Sequence, residues 1–213
     1  MKIRNSILLL IVAFFAKGAF AQDYSRVDVF VGYSYLRFNP QISQLHSRSF
    51  NGGGAAIDFN FGPVFAIKAE FMGYSSTSFT TTFGSPIVTS AGVIPPGTYS
   101  SQGNMFTYMF GPVVKLPVSK VTPFGEILFG GSNTNGYANL SRSVVAGGGT
   151  IAVTPTQHPY TMAVGGGLDI NLSRHFAFRP LEVDYLLTRY SNPFTGSRNQ
   201  NSFRYSAGLI FKL

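Results

Sequence analysis

Apolar residues recur at every second position over most of the chain, a period that belongs to strands rather than helices. The stretch Ser202 to Leu213 shows it best. Phe203, Tyr205, Ala207, Leu209, Phe211 and Leu213 share one phase, and Ser202, Arg204, Ser206, Gly208, Ile210 and Lys212 the other. A tilted strand crosses a bilayer in about 9–11 residues, so this stretch is long enough to cross. A strand with one fully apolar face running to the last residue calls for a cover, and lipid is one.

The same alternation predicts seven further strands. Val27 to Phe38 sets Val27, Val29, Val31, Tyr33 and Tyr35 against Asp28, Gly32 and Ser34. Phe50 to Phe61 points Ala55, Ile57, Phe59 and Phe61 outward, and Val64 to Ser75 returns after a Gly62-Pro63 turn with Phe65, Ile67, Ala69 and Phe71 outward. Asn104 to Leu116, Val121 to Gly131, Tyr160 to Leu172 and Phe176 to Thr188 complete the set. Between them lie short turns at Pro117 to Lys120 and Ser173 to His175, and longer polar segments at Asn39 to Ser49, Ser76 to Gln102, Ser132 to His158 and Arg189 to Asn201, all read as loops. An even strand number with short turns alternating with long loops is the plan of a membrane barrel whose turns and termini face the periplasm. The fold expected is therefore all-β: an eight-stranded, antiparallel, up-and-down transmembrane β-barrel.

Composition adds an exported origin. Lys2 and Arg4 precede an apolar run from Ile7 to Phe15, and Ala19-Phe20-Ala21 has the small-x-small form of a signal-peptidase site. Residues 1–21 read as a cleaved signal peptide ending before Gln22, and 22–213 as the barrel domain. Loss of Lys2, Arg4 and Lys17 lowers the formal charge from +8 to +5 (8 − 3). The remaining Lys and Arg are scattered singly, which argues against nucleic acid. No segment reaches the roughly 20 apolar residues of a membrane helix, and the chain has no cysteine to form a disulfide.

The acids locate the interior. Of eight Asp and Glu residues all but Asp23 fall within predicted strands, on the phase opposite the apolar one: Asp28, Asp58, Glu70, Glu126, Asp169, Glu182 and Asp184. Lys68, Lys115, Arg204 and Lys212 share that phase. Arg179 is ambiguous, since strict alternation sends it outward while a bulge at Pro180 would turn it in. An eight-stranded barrel is only wide enough for its own side chains, so these groups predict an ion-paired filling. Structural packing is their expected role; gating of a small ion path by Glu70, Glu126, Arg204 or Lys212 is the functional alternative.

Signal peptide, strand plan and the C-terminal pattern Ser206, Gly208, Phe211 and Leu213 together resemble the OmpA-like and OmpX-like eight-stranded outer-membrane β-barrel family, whose last strand carries an assembly signal of that form. Val31-Gly32-Tyr33-Ser34-Tyr35, Lys68-Ala69-Glu70-Phe71 and Glu182-Val183-Asp184-Tyr185 have the look of its strands. The terminal Leu departs from the more usual Phe. The resemblance implies an integral protein of the bacterial outer membrane, a monomer, in contact with outer-membrane lipids and lipopolysaccharide, and handled by periplasmic chaperones and the barrel-assembly machinery. A peptidoglycan-binding domain has no counterpart after Leu213, so a bare barrel is expected.

Candidate chemistry is sparse. Arg189-Tyr190-Ser191-Asn192 is similar to the Ser-Asn of outer-membrane lipid A deacylases, but Arg189 stands where a histidine is needed, and a serine without a base is not a nucleophile. His46, His158 and His175 lie apart in sequence, at no ligand spacing, so no metal site is expected. The glycine triplets at 52, 147 and 165 lack the Lys-Ser/Thr of a phosphate loop. No catalytic residue and no cofactor is expected. The expected function is a structural and surface-interaction role through the loops, where Arg48, Arg142, Arg189 and Arg198 could meet lipid phosphates. A narrow porin-like channel is the alternative, and a lipid A-modifying enzyme a third.

Overall fold

A computed structural model describes residues 24–38, 48–76, 79–89, 92–150, 158–192 and 196–213. The signal segment, with Ala19, Ala21 and Gln22, lies outside the described residues, as does His46. The long strands are β1 (Val27–Phe38), β2 (Arg48–Asn60), β3 (Phe65–Ser76), β8 (Asn104–Lys115), β9 (Val121–Thr134), β10 (Tyr160–Asn171), β11 (Phe176–Asn192) and β12 (Gly196–Lys212). Among the described residues they close in the order β1-β12-β11-β10-β9-β8-β3-β2, every pair antiparallel. Chain neighbours are sheet neighbours throughout, as up-and-down topology requires, and β12 seals the barrel by pairing Asp28 with Lys212 through to Phe38 with Ser202.

Closure fixes which phase faces out. Val31, Phe71, Phe110 and Phe203 are 50–64% exposed on the outer wall, while Asp28, Asp58, Lys68, Glu70, Lys115, Glu126, Asp169, Glu182, Asp184 and Arg204 are buried inside. Among the described residues no helix is long and apolar enough to cross a membrane; the outer wall presents an apolar band. The inner phase is not uniformly polar. Phe30, Leu36, Met72, Met105, Met109, Leu128, Leu186 and Ile210 also point inward and pack together, because a polar phase needs only enough charge to pair and the remaining lumen volume is filled by apolar packing.

Arg179 points inward. The ladders of β11 shift register between Arg179 and Glu182, and that of β10 shifts between Leu168 and Ile170. One extra residue of β11 is accommodated beside Pro180, which has no N–H to give to a ladder. The bulge reverses the alternation, so Arg179 and Glu182 both enter the lumen.

Three segments read as loops carry secondary structure. Residues 76–102 contain β4 (Phe79–Phe83), β5 (Ile87–Thr89), β6 (Gly92–Ile94) and β7 (Gly97–Ser101), with β5 pairing β6 and β4 pairing β7 as one interrupted hairpin. Residues 132–158 contain the helix α1 (Gly136–Ala146), an α-element in a chain expected to be all-β. Gly148, at φ +86°, ends it in the left-handed region where a side chain is strained. Hairpin and helix share a small core of Ile94, Tyr99 and Val144, flanked by Phe83 and Ile87. The segment 189–201 is largely the extension of β11 and β12, whose pairing continues to Asn192 and Gly196.

Candidate functional site

The lumen is filled in successive layers along its axis. At the end carrying the short turns, Lys115 Nζ lies 2.8 Å from Asp28 Oδ2 and 2.8 Å from Asp58 Oδ2. Asn60 ties the pair together, donating to Asp28 Oδ2 at 3.0 Å and accepting from Lys115 at 3.0 Å. Below them opens a cup of about 750 Å³, lined by Asn171, His175 and Lys212 among others. Lys212 stands at this mouth rather than in the inner network, donating to Asn171 Oδ1 at 2.5 Å.

One layer inward the bulge supplies Arg179. Its guanidinium donates Nε and Nη2 to the two oxygens of Asp169 at 2.7 and 3.0 Å, and Nη1 to Glu182 Oε2 at 2.5 Å. The same group is clamped between rings, 4.2 Å from the Phe124 centroid and 4.9 Å from that of Phe30, a geometry in which ring faces attract a cation. Glycines make room for the clamp. A Cβ at Gly167 or Gly208 would fall 2.8 Å from the Phe124 or Phe30 ring respectively.

The barrel's middle holds Lys68 and Arg204. Lys68 Nζ contacts Glu126 Oε2 at 2.5 Å and Glu182 Oε2 at 3.8 Å. Arg204 donates to Asp184 Oδ2 from Nε and Nη2, at 2.8 and 2.7 Å, and to Glu70 from Nη1. Glu182 Oε1 is 3.4 Å from its Nη2. Toward the loop end hydroxyls take over: Ser34 Oγ is 2.9 Å from Ser206 Oγ and 3.1 Å from Tyr74 OH, and Thr161 donates to Ser132 at 3.2 Å.

Charge in this interior does not balance. Among the described residues seven carboxylates (Asp28, Asp58, Glu70, Glu126, Asp169, Glu182, Asp184) and four cations (Lys68, Lys115, Arg179, Arg204) are buried, and each of these cations serves two or more acids. Glu70 Oε2, Glu126 Oε1 and Asp184 Oδ1 are buried with no hydrogen-bond partner. Glu70, Glu126 and Glu182 offer oxygens within 4.8 Å of one another, a spacing that suits a metal ion. Lys68 and Arg204 already lie among them, and a third cation there would meet two fixed positive charges.

The four C-terminal pattern residues have separate places in the barrel. Ser206 is the buried partner of Ser34, and Gly208 leaves space for Phe30. Phe211 meets Phe176 edge-on on the outer wall, centroids 5.3 Å apart. Leu213 O accepts from the amides of Arg26 and Val27, holding the end of β12 against the start of β1. Ser191 is in β11, and its side chain lies outside the described set; His158 is exposed and His175 sits in a turn.

Phe30 and Phe124 were not legible as interior residues from residue type. Their signal was phase: Phe30 alternates with Asp28 and Gly32, and Phe124 with Thr122 and Glu126. At the loop end the outer wall ends in Arg37 on β1 and Arg189 on β11, both exposed and both on strands that flank β12. Arg142 donates to Asn139 Oδ1 at 3.2 Å, and the side chains of Arg48 and Arg198 are outside the described set.

No protein-family model matches the chain, and no curated protein does. Solved structures do. Neisserial surface protein A superposes with a TM-score of 0.56 at 9% identity, covering 90% of this chain and 100% of its own. The outer membrane protein OprG from Pseudomonas aeruginosa superposes with a TM-score of 0.51 at 13% identity, covering 89% of this chain and 97% of its own. With this closure, strand order and apolar outer wall, the chain has the fold of the eight-stranded bacterial outer-membrane β-barrels.

Proposed function

We propose that the protein is an integral outer-membrane barrel whose lumen is a closed strut and whose working surface is its loop end. The observation that carries this reading is the filled interior. A solute entering from the turn side meets the Lys115 pair, then Arg179 clamped between Phe30 and Phe124, then the Lys68 and Arg204 clusters. Opening a path would separate several buried ion pairs at once, each costly to break. The loop end, by contrast, is elaborated with a folded hairpin and helix beyond anything the barrel needs for closure. Turns and termini face the periplasm in this reading, the chain acts as a monomer, and it catalyses no reaction.

Arg37 and Arg189 support lipid contact. They end the outer wall on the two strands that flank β12, beside exposed Tyr33, Tyr160 and Phe203, where an aromatic girdle and phosphate-level cations belong. The phosphates of lipopolysaccharide are their proposed partners.

Conductance tests the closed strut. The mature chain, refolded into planar bilayers and shown to be a barrel by heat-modifiable gel migration, is expected to insert and carry no steady current. Steady conductance that Glu126→Gln or Arg204→Gln alters would replace this reading with that of a narrow ion channel.

A further inference from the structure

At the loop end the outer wall has two unlike halves. On β1 and β11, the strands flanking β12, it ends in Arg37 and Arg189. Across the barrel, on β2, β3, β8 and β9, it ends in amides and a hydroxyl: Asn51, Ser75, Asn104 and Asn133, with Asn135 just beyond β9. Among the described residues, none of those lining the cleft between these groups is charged, and its volume is about 620 Å³. Its floor includes Gly73 and the half-exposed ring of Phe106. Along each of these strands the outward positions pass from apolar to polar as the loop end nears, Phe71 to Ser75 on β3, Phe106 to Asn104 on β8 and Phe129 to Asn133 on β9.

Two of the amides are held in place by their oxygens. Asn51 Oδ1 accepts from Tyr33 OH at 2.5 Å, and Asn135 Oδ1 accepts from the backbone amide of Asn104 at 2.8 Å. Each is thereby left with its NH₂ group to donate, in an orientation fixed before any ligand arrives, which lowers the entropy cost of binding. A ligand suited to this cleft carries many hydroxyl acceptors and donors, no required charge, and an apolar face to lie on glycine and an aromatic ring. A pyranose sugar has that character. Its level on the wall, just above the apolar band, is where the first sugars of outer-leaflet lipopolysaccharide lie if the barrel spans the outer membrane.

We propose that this cleft binds a pyranose of the lipopolysaccharide core, complementing the phosphate contacts of the arginine side. The inference rests on the outer-membrane reading above. Gly73 supplies the sharpest test, because a Cβ there would find its nearest neighbours at 3.9 Å, in ordinary contact. A larger side chain therefore fills the cleft without disturbing the wall.

The full mature barrel in phospholipid nanodiscs would be titrated with dephosphorylated core oligosaccharide released from lipopolysaccharide, by calorimetry and by side-chain amide NMR. Saturable binding is expected, with Gly73→Leu and Asn133→Ala each weakening it at least tenfold while heat-modifiable migration stays unchanged. Absence of binding to the inserted wild-type barrel would overturn the proposal, as would binding indifferent to both substitutions. Equal affinity for maltoheptaose would overturn the assignment to lipopolysaccharide. A chain that fails to insert into bilayers at all would instead sink the outer-membrane reading, and the insertion control separates the two failures.

Discussion

At the scale of single residues, the unequal count of acids and cations in the lumen makes substitutions asymmetric. Arg204 is shared by Glu70, Asp184 and Glu182; Glu182 keeps Arg179 and Lys68, so Arg204→Met strands two carboxylates at once, Glu70 and Asp184. Leaving buried charge without its partner costs roughly 3–5 kcal/mol. Asp184→Asn removes one acid of several and leaves Arg204 with Glu70 and Glu182; a loss of about 1 kcal/mol or less is expected, the size of one ordinary hydrogen bond. The chain has no tryptophan, so urea unfolding in lipid vesicles is best followed by circular dichroism and gel migration. Equal losses for the two variants would contradict the sharing of cations. Strict alternation made the acids, Lys68, Lys115 and Arg204 readable as interior positions. It left Arg179 open because a bulge is a local change of phase that Pro180 only hints at. The clamp on Arg179 escaped for another reason: Phe30 and Phe124 are aromatic, and an outer wall rich in Phe makes residue type a poor guide to side.

At the scale of elements, the loop-end unit of hairpin and helix is separable from the barrel. It is held by few apolar contacts, among them the Phe83 and Tyr99 rings at 5.9 Å and Val144 from the helix, plus the Tyr99 hydroxyl donating to Pro95 O at 2.9 Å. Tyr99→Ala removes an aromatic group from the middle of that core, a change of roughly 3–5 kcal/mol where the group is fully packed. The expected result is rapid proteolytic nicking within residues 76–102 and 136–150, while the barrel keeps its heat-modifiable migration. If nicking exposed or unfolded the barrel as well, the two would be one cooperative unit. These segments read as loops because their apolar residues are few, spaced irregularly, and surrounded by Ser, Thr and Gly; only contact between two distant segments makes the core. Similarly, β11 and β12 run 17 residues each, about 55 Å of chain at 3.3 Å per residue. Only about half of that length is needed for an apolar band about 25 Å tall. Beyond the band a ribbon needs no greasy phase, so periodicity gave no sign of the last four residues of β11 or the first six of β12.

At the scale of the whole molecule, a membrane span divides the outer wall by depth, and substitutions of the same chemistry should differ according to height alone. Val31 lies midway along β1, half-exposed, paired across the outer face with Leu209 on one side and Ala55 on the other. Ser75 is also exposed and outward but lies at the loop end, level with the amides of the cleft. Val31→Arg places a guanidinium in hydrocarbon, at a cost of about 2–4 kcal/mol near the midplane, whereas Ser75→Arg sits at an interface where the cost falls to about 0–1 kcal/mol. Reversible unfolding from phospholipid vesicles should show that difference, and insertion of the Val31 variant should slow or fail in thicker bilayers before that of the Ser75 variant does. A soluble β-barrel would respond otherwise: arginine at either exposed position would change stability by no more than about 0.5 kcal/mol, and neither value would depend on bilayer thickness. Depth dependence therefore reports on the solvent that covers the outer wall, independently of what the loops bind and of whether the lumen conducts.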